Sequence, residues 1–214
     1  MCAARNHGID QSLYHRLCRI QELLSKKVSV SDESLEKIQR IGGVDASYKG
    51  ESAAVGFSVF DASKENIVLL SVSRTLVKMP YVSTLLSFRE GPVVLKTLRK
   101  FIDEYDVLIV NGHGLAHPRK CGLATYLGVI LKKPTIGIAK KPLGGLEAEH
   151  NVNNLRMFKD KFYYSVGNMI TLEGAYSVLR RITPEGFKLP IPLEVAHRLS
   201  VKMLEAITGD VGKV

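Results

Sequence analysis

The chain has no tryptophan and only three cysteines among 214 residues. Cys2, Cys18 and Cys121 are odd in number and widely spaced, with no Cys-x-x-Cys pair. That argues against a disulfide framework and against a cysteine zinc site, and a reducing, cytoplasmic compartment is the natural expectation. Long apolar runs are also missing. The longest, such as Val107–Val110 and Val129–Leu131, fall far short of the roughly 20 residues that cross a bilayer. No basic segment followed by an apolar one opens the chain, so no signal peptide is expected. Internal repeats, low-complexity stretches and heptads are absent too. One domain over 1–214 and a monomer are the expectations.

Positive charge is plentiful. Lys and Arg number 30 against 21 Asp and Glu, a formal net charge of +9. A basic surface favours polyanions, and nucleic acid is the commonest of these in a cell. The 45% hydrophobic and 24% charged content is that of an ordinary globular protein, and the length supports an α/β core.

Leu13, Leu17, Ile20 and Leu24 recur at helical spacing, so Asp10–Lys27 reads as an amphipathic helix with Asp10 as its N-cap. Lys37–Tyr48, Ala53–Phe60 and Asn66–Lys78 read as a meander of antiparallel strands. Pro80 places Met79–Ser83 in a loop. Leu85–Glu104 reads as a helix with Leu85, Phe88, Leu95, Leu98 and Ile102 inward, interrupted by Gly91-Pro92. Val107–Val110 and Thr135–Ala139 are short apolar runs typical of strands buried on both faces. Between them lie a loop, Gly112–Arg119, and a helix, Gly122–Leu131. The order βββαβαβ predicts an α/β fold with a mixed sheet. Beyond it, Pro142–Asn154 reads as loop. Phe162–Val166 and Met169–Ile170 read as a hairpin about Gly167-Asn168. Glu173–Ile182 and Glu194–Ile207 read as helices.

Several residues stand out chemically. Asp45 lies inside a strand, where aspartate is depleted. It is either a solvent-facing residue or a charge with a partner, since an unpaired buried charge costs several kcal/mol. Glu90 by itself is an ordinary helical glutamate. Asn111 ends a buried strand, and open α/β sheets bind ligands at the carboxyl ends of parallel strands. His113 and His117, in the loop after it, are read as catalytic groups or as loop braces. Bracing is favoured, because a magnesium site prefers oxygen. Lys140 follows the next buried strand, and His197 sits early in the last helix. A strand Asp, a helical Glu and an oxygen ligand at a neighbouring strand end can converge on Mg²⁺ or Mn²⁺. Such a site polarises a phosphodiester and acidifies an attacking water. Lys140 then stabilises phosphate charge, and His197 orients or deprotonates water.

These residues fall in blocks that resemble the endonuclease V family. The blocks are Gly43-Val-Asp-Ala-Ser47, Pro80-Tyr81, Phe88-Arg-Glu-Gly-Pro92, Gly112-His-Gly-Leu-Ala-His-Pro-Arg119, Pro134-Thr-Ile-Gly-Ile-Ala-Lys140 and Pro192-Leu-Glu-Val-Ala-His197. They run in order from about residue 38 to residue 200. The resemblance implies a ribonuclease H-like mixed sheet, three antiparallel strands then parallel strands, flanked by helices. It implies a Mg²⁺-dependent endonuclease, with Mn²⁺ able to substitute. That enzyme would nick DNA or RNA at the second phosphodiester bond 3′ to a deaminated base, inosine above all. Asp45, Glu90 and the Asn111 position would hold metal, and Lys140 and His197 match the catalytic lysine and histidine. Tyr81, beside Pro80, would wedge into the stack next to the lesion. Leu86, Gly112, Leu123 and Leu143 match positions near the base pocket, and His117 and Arg119 fall in the nucleic-acid-binding block.

Three departures from the family pattern bear on activity. Asn111 stands where the family has Asp. It offers a carbonyl oxygen but no charge, which makes inosine-specific binding with weak or lost cleavage the alternative. The family's Pro-Tyr-Ile-Pro-Gly wedge reads Pro80-Tyr-Val-Ser-Thr84. Tyr126 stands where a histidine is common.

Overall fold

Asp10 caps the first helix, its Oδ1 accepting from the Leu13 N–H at 2.9 Å. In a computed structural model, which describes residues 8–33, 35–143 and 154–208, this helix, α1, spans Gln11–Ser25. Its buried residue is Gln21. Leu13 and Ile20 of the apolar stripe are exposed and Leu17 and Leu24 half-buried, so the inward face, centred on Gln21, takes only part of the stripe.

The meander forms as expected: β1 (Arg40–Lys49), β2 (Ser52–Asp61) and β3 (Asn66–Leu76) pair antiparallel. β1 begins at Arg40, and a short 3-10 turn, Leu35–Lys37, precedes it. β4 (Val107–Asn111) then inserts parallel to β1, and β5 (Thr135–Ala139) parallel to β4. Val107 through Val110 are all fully buried. Alternation along β4 divides them between two cores: Val107 and Ile109 face one, Leu108 and Val110 the other.

α2 (Leu86–Leu98) and α3 (Leu123–Leu131) cover the Leu108 face with Val94, Leu98 and Leu127. α4 (Leu172–Ile182) and the start of α5 (Ile191–Thr208) cover the Ile109 face with Val178, Leu179 and Leu193. Gly91-Pro92 does not interrupt α2. Pro92 forgoes one ladder hydrogen bond. Gly91 sits where a Cβ would come within 2.3 Å of the Tyr126 ring, so glycine is there to seat α2 against α3. The helical segment also stops earlier than Glu104, passing through a 3-10 turn at Arg99–Phe101.

The expected hairpin about Gly167-Asn168 is not formed. β6 (Leu155–Phe158) pairs with β7 (Phe162–Asn168), which runs antiparallel to β5. The turn lies at 159–161, with Lys159 and Asp160 at positive φ. Gly167 is a packing glycine, since a Cβ would meet Thr135 Oγ1 at 2.1 Å. Buried Asn168 holds the Ser29 N–H and the Gly128 carbonyl at 3.1 Å each. The seven strands lie in the order β3-β2-β1-β4-β5-β7-β6. α5 starts ahead of Glu194, at Ile191. Most of the expected loop Pro142–Asn154 lies outside the described residues. Among the described residues, no helix is long and apolar enough to cross a membrane.

Candidate active site

Asp45 is buried, 6% exposed, and it is partnered. Two glycines make this possible by letting α5 lie directly on the β1–β2 backbone. A Cβ on Gly43 would come within 2.3 Å of the Pro192 carbonyl carbon, and one on Gly56 within 2.0 Å of the Ala196 oxygen. The Ser58 hydroxyl donates to the Pro192 carbonyl at 2.8 Å, and Ser47 and Ser200 share a 2.8 Å hydrogen bond. Between these two pins, His197 Nδ1 meets Asp45 Oδ2 at 2.6 Å. The carboxylate only accepts, so Nδ1 carries the proton. That leaves Nε2 as the nitrogen able to take a proton.

The parallel register aligns Val44 with Val110 and thereby places Asn111 beside Asp45. The Asn111 amide donates to Asp45 Oδ1 at 2.8 Å. Its nitrogen must face the carboxylate, because two acceptors would repel. Its carbonyl oxygen remains for another partner. Glu90, on α2, lies within the field of Asp45. Its carboxyl is pushed up to about 8, first by burial and then by the Asp45 charge, with Arg89 opposing. The Arg89 guanidinium lies 4.7 Å over the Tyr48 ring and donates to the Met79 carbonyl. Tyr48 Oη is buried without a hydrogen-bond partner.

The donor set here is all oxygen: two carboxylates that repel one another and one amide carbonyl. That chemistry suits a hard divalent cation. Among the described residues, no three His, Cys, Asp or Glu side chains gather closely enough to hold a metal. Asn111 contributes an amide carbonyl and no charge. Lys140, exposed at the end of β5, lines a cleft of about 580 Å³ together with His197.

A second concavity lies under Tyr81, whose ring is 68% exposed. Leu86, His117, Leu123 and Leu143 line it as well. Gly112, at φ +154, does not line it; a Cβ there would lie 3.1 Å from that of Leu123, which does. Pro80 and Arg119 do not line it. It is narrow, with a volume of about 50 Å³.

His117 braces the loop. Its Nε2 donates to the Thr84 carbonyl at 2.9 Å, and its Nδ1 accepts from the Arg119 N–H at 3.2 Å. Arg119 is likewise turned inward, bonding Gln21 Oε1 at 2.7 Å and Thr84 Oγ1 at 2.6 Å.

Gln21, Thr84, Ser87 and His113 also line this concavity; of these the sequence marks only His113, as a catalytic group or loop brace. Gln21 is fully buried. Its Nε2 reaches the Thr84 carbonyl, Ser87 Oγ and the Cys121 carbonyl at 2.9–3.1 Å. The one available signal was a glutamine in an amphipathic helix, which ordinarily means solvent. Thr84 adopts φ +68, a conformation unfavourable for a β-branched residue, so these bonds hold it there. His113 Nδ1 is buried without a partner, and burial lowers its proton affinity.

The endonuclease V family model matches residues 22–158. Endonuclease V of Pyrococcus abyssi is 39% identical over 189 residues, covering 88% of this chain and 91% of the relative. That of Desulfurococcus amylolyticus is 36% identical over 206 residues, covering 87% and 94%. A solved structure of Ciona intestinalis endonuclease V, in complex with a 23mer DNA containing an inosine followed by a ribo-adenosine, is 25% identical. It matches with a TM-score of 0.80, covering 93% of this chain and 100% of that one. With the family model spanning most of the chain and relatives matched over nearly their whole length, the chain belongs to the endonuclease V family.

Proposed function

We propose that this chain is a divalent-metal-dependent endonuclease that nicks DNA or RNA at the second phosphodiester bond 3′ to a deaminated base, inosine above all. The observation that carries the reading is Asp45. It is buried, yet bonded by His197 on one oxygen and Asn111 on the other. A carboxylate offers about four lone-pair sites, so both bonds leave room for a cation.

Asp45, Glu90 and the Asn111 carbonyl would hold Mg²⁺, or Mn²⁺ in its place. Bound there, the ion supplies charge neutralisation at the scissile phosphate and a more acidic attacking water. The chain's own groups do the rest. Asp45 fixes the His197 ring so that Nε2 can accept the proton of the water. Lys140 supplies positive charge at the same cleft. Tyr81 replaces the stacking that an extruded base gives up. The concavity beneath it is the place for that base.

The alternative is an inosine-binding protein with weak or lost cleavage. Its support is the missing charge at Asn111. The test is incubation with inosine-containing single-stranded DNA, duplex DNA and RNA, in Mg²⁺ and separately in Mn²⁺. The expected result is a single nick, abolished by Asp45→Ala. Binding without a nick in either metal, restored by Asn111→Asp, selects the alternative. Undiminished cleavage by Asp45→Ala refutes the site.

A further inference from the structure

The cleft that starts at Lys140 and His197 continues away from them along the 159–161 turn and the loop joining α4 to α5. Lys161, Phe187 and Lys188 line that far part. None belongs to the Asp45–Asn111–His197 hydrogen-bonded set. Phe187 is 43% exposed, which leaves a ring face open for a base to stack on. Its backbone is held in place. The Phe187 N–H donates to the Pro184 carbonyl at 3.2 Å, and Leu189 packs against the core. Lys161 Nζ donates to the same Pro184 carbonyl at 3.4 Å, tying the strand turn to the loop. The acidic groups in the cleft are Asp160 and Glu194. Glu194 is already paired with Arg198 at 2.9 Å. Three lysines therefore face one carboxylate without that pairing, and the cleft is cationic.

Position adds direction. The concavity under Tyr81 is built from α1, α2 and α3, on the Leu108 side of the sheet. The cleft is built from β7 and the α4–α5 loop, whose Phe162 and Leu189 belong to the Ile109 side. His197 lines the cleft and bonds Asp45, which bonds Asn111, and His113 of the loop that follows Asn111 lines the concavity. A strand that enters at Tyr81 and crosses the ends of β1 and β4 emerges over Lys140 into this cleft.

We infer that the cleft is a second nucleic-acid subsite, which takes the strand 3′ of the scissile bond with Phe187 stacked on a base and Lys161 and Lys188 on neighbouring phosphates. The inference rests on the nuclease reading for its direction along the strand. Stacking and phosphate contacts are indifferent to base identity. The subsite therefore adds affinity and positions the strand without reading the lesion.

The test is fluorescence anisotropy with single-stranded inosine DNA in three forms: full length, trimmed on the 3′ side back to the scissile bond, and trimmed on the 5′ side. Phe187→Ala should weaken binding of the full-length and 5′-trimmed strands about 10-fold and leave the 3′-trimmed strand unchanged. Phe187→Tyr should restore binding. Lys161→Ala with Lys188→Ala should flatten the salt dependence of full-length binding by about two phosphate contacts, which keeps the subsite testable should Phe187→Ala misfold. Equal losses on all three strands, losses that follow the 5′ flank, or no loss at all would overturn the inference. A wild-type protein that binds but does not nick overturns the nuclease reading alone, and the flank dependence of binding still decides the subsite.

Discussion

Asn111 donates its amide to Asp45 at 2.8 Å, so a neutral donor stands against the Asp45 charge. Replacing the amide by a carboxylate turns that bond into a repulsion that a cation relieves. Asn111→Asp should lower the Mg²⁺ concentration needed for half-maximal nicking by about 10-fold or more, since ligand charge sets affinity at oxygen sites. It should also lower the melting temperature of metal-free protein. A Mg²⁺ titration of nicking checks the first, and a thermal melt in chelator the second. An unchanged Mg²⁺ requirement would exclude Asn111 from the metal site.

Glu90 should link metal binding to pH if it holds the proposed cation. Burial and Asp45 push its carboxyl up to about 8, well above its ordinary range. Its contribution to the metal-free fold is therefore fully present in acid and lost as pH rises through about 8. A bound cation displaces the proton, so metal affinity should climb with pH up to about 8. Isothermal titration across that range measures the slope. Glu90→Gln should abolish both the slope and the binding.

His117 acts in the opposite sense. Burial, with Arg119 adding to it, lowers its proton affinity to about 4. Protonation at Nδ1 would also break the bond from the Arg119 N–H. Its contribution is present above its ordinary value of 6.5 and is lost as pH falls toward 4. Chemical denaturation of wild type should show stability falling across that window. His117→Gln should flatten the fall, and an unchanged slope would assign it to other groups.

Gln21 ties α1 to the loop beneath Tyr81. Gln21→Leu strands the Ser87 hydroxyl and takes the acceptor from Arg119 Nε, and it leaves Thr84 held in its left-handed conformation by His117 and Arg119 alone. A loss of about 3 kcal/mol is expected, read by denaturant unfolding. Discrimination between inosine and undamaged strands should fall with it, measured as the ratio of kcat/KM. Full selectivity in Gln21→Leu would show that α1 has no part in shaping the concavity.

Gly56→Ala tests how α5 is seated. Its Cβ would come within 2.0 Å of the Ala196 oxygen, backbone that cannot swing aside. We expect at least about 3 kcal/mol of destabilisation and a large loss of nicking, because His197 is carried away from Asp45. Wild-type activity in this variant would mean that the His197–Asp45 contact is dispensable.

Much of this was legible in the chain. The β-meander follows from alternation, and the buried parallel pair from two short apolar runs. Asp45, Glu90, Asn111, Lys140 and His197 were nameable because their blocks keep family order. Errors fell where one residue type serves two purposes. Gly91-Pro92 resembled a break but seats α2 on α3, and Gly167-Asn168 resembled a turn but packs against Thr135 and Ser29. A glycine that bends the chain and a glycine that admits a neighbour are identical in sequence. Only the neighbour distinguishes them.

The sequence by itself determined the family, the order of the sheet's first strands and the identity of the charged residues at the strand ends. Local periodicity and block order are properties of the chain, readable without partners. Tertiary structure alone decided who faces whom. It turned Gln21 inward, set His117 and Arg119 to bracing, and brought His197 within 2.6 Å of Asp45 across 152 positions of chain. It also joined Lys161 and Phe187 in one cleft with Lys140 and His197. Those relationships arise from packing between distant segments, where burial and hydrogen-bond satisfaction override what each residue prefers locally.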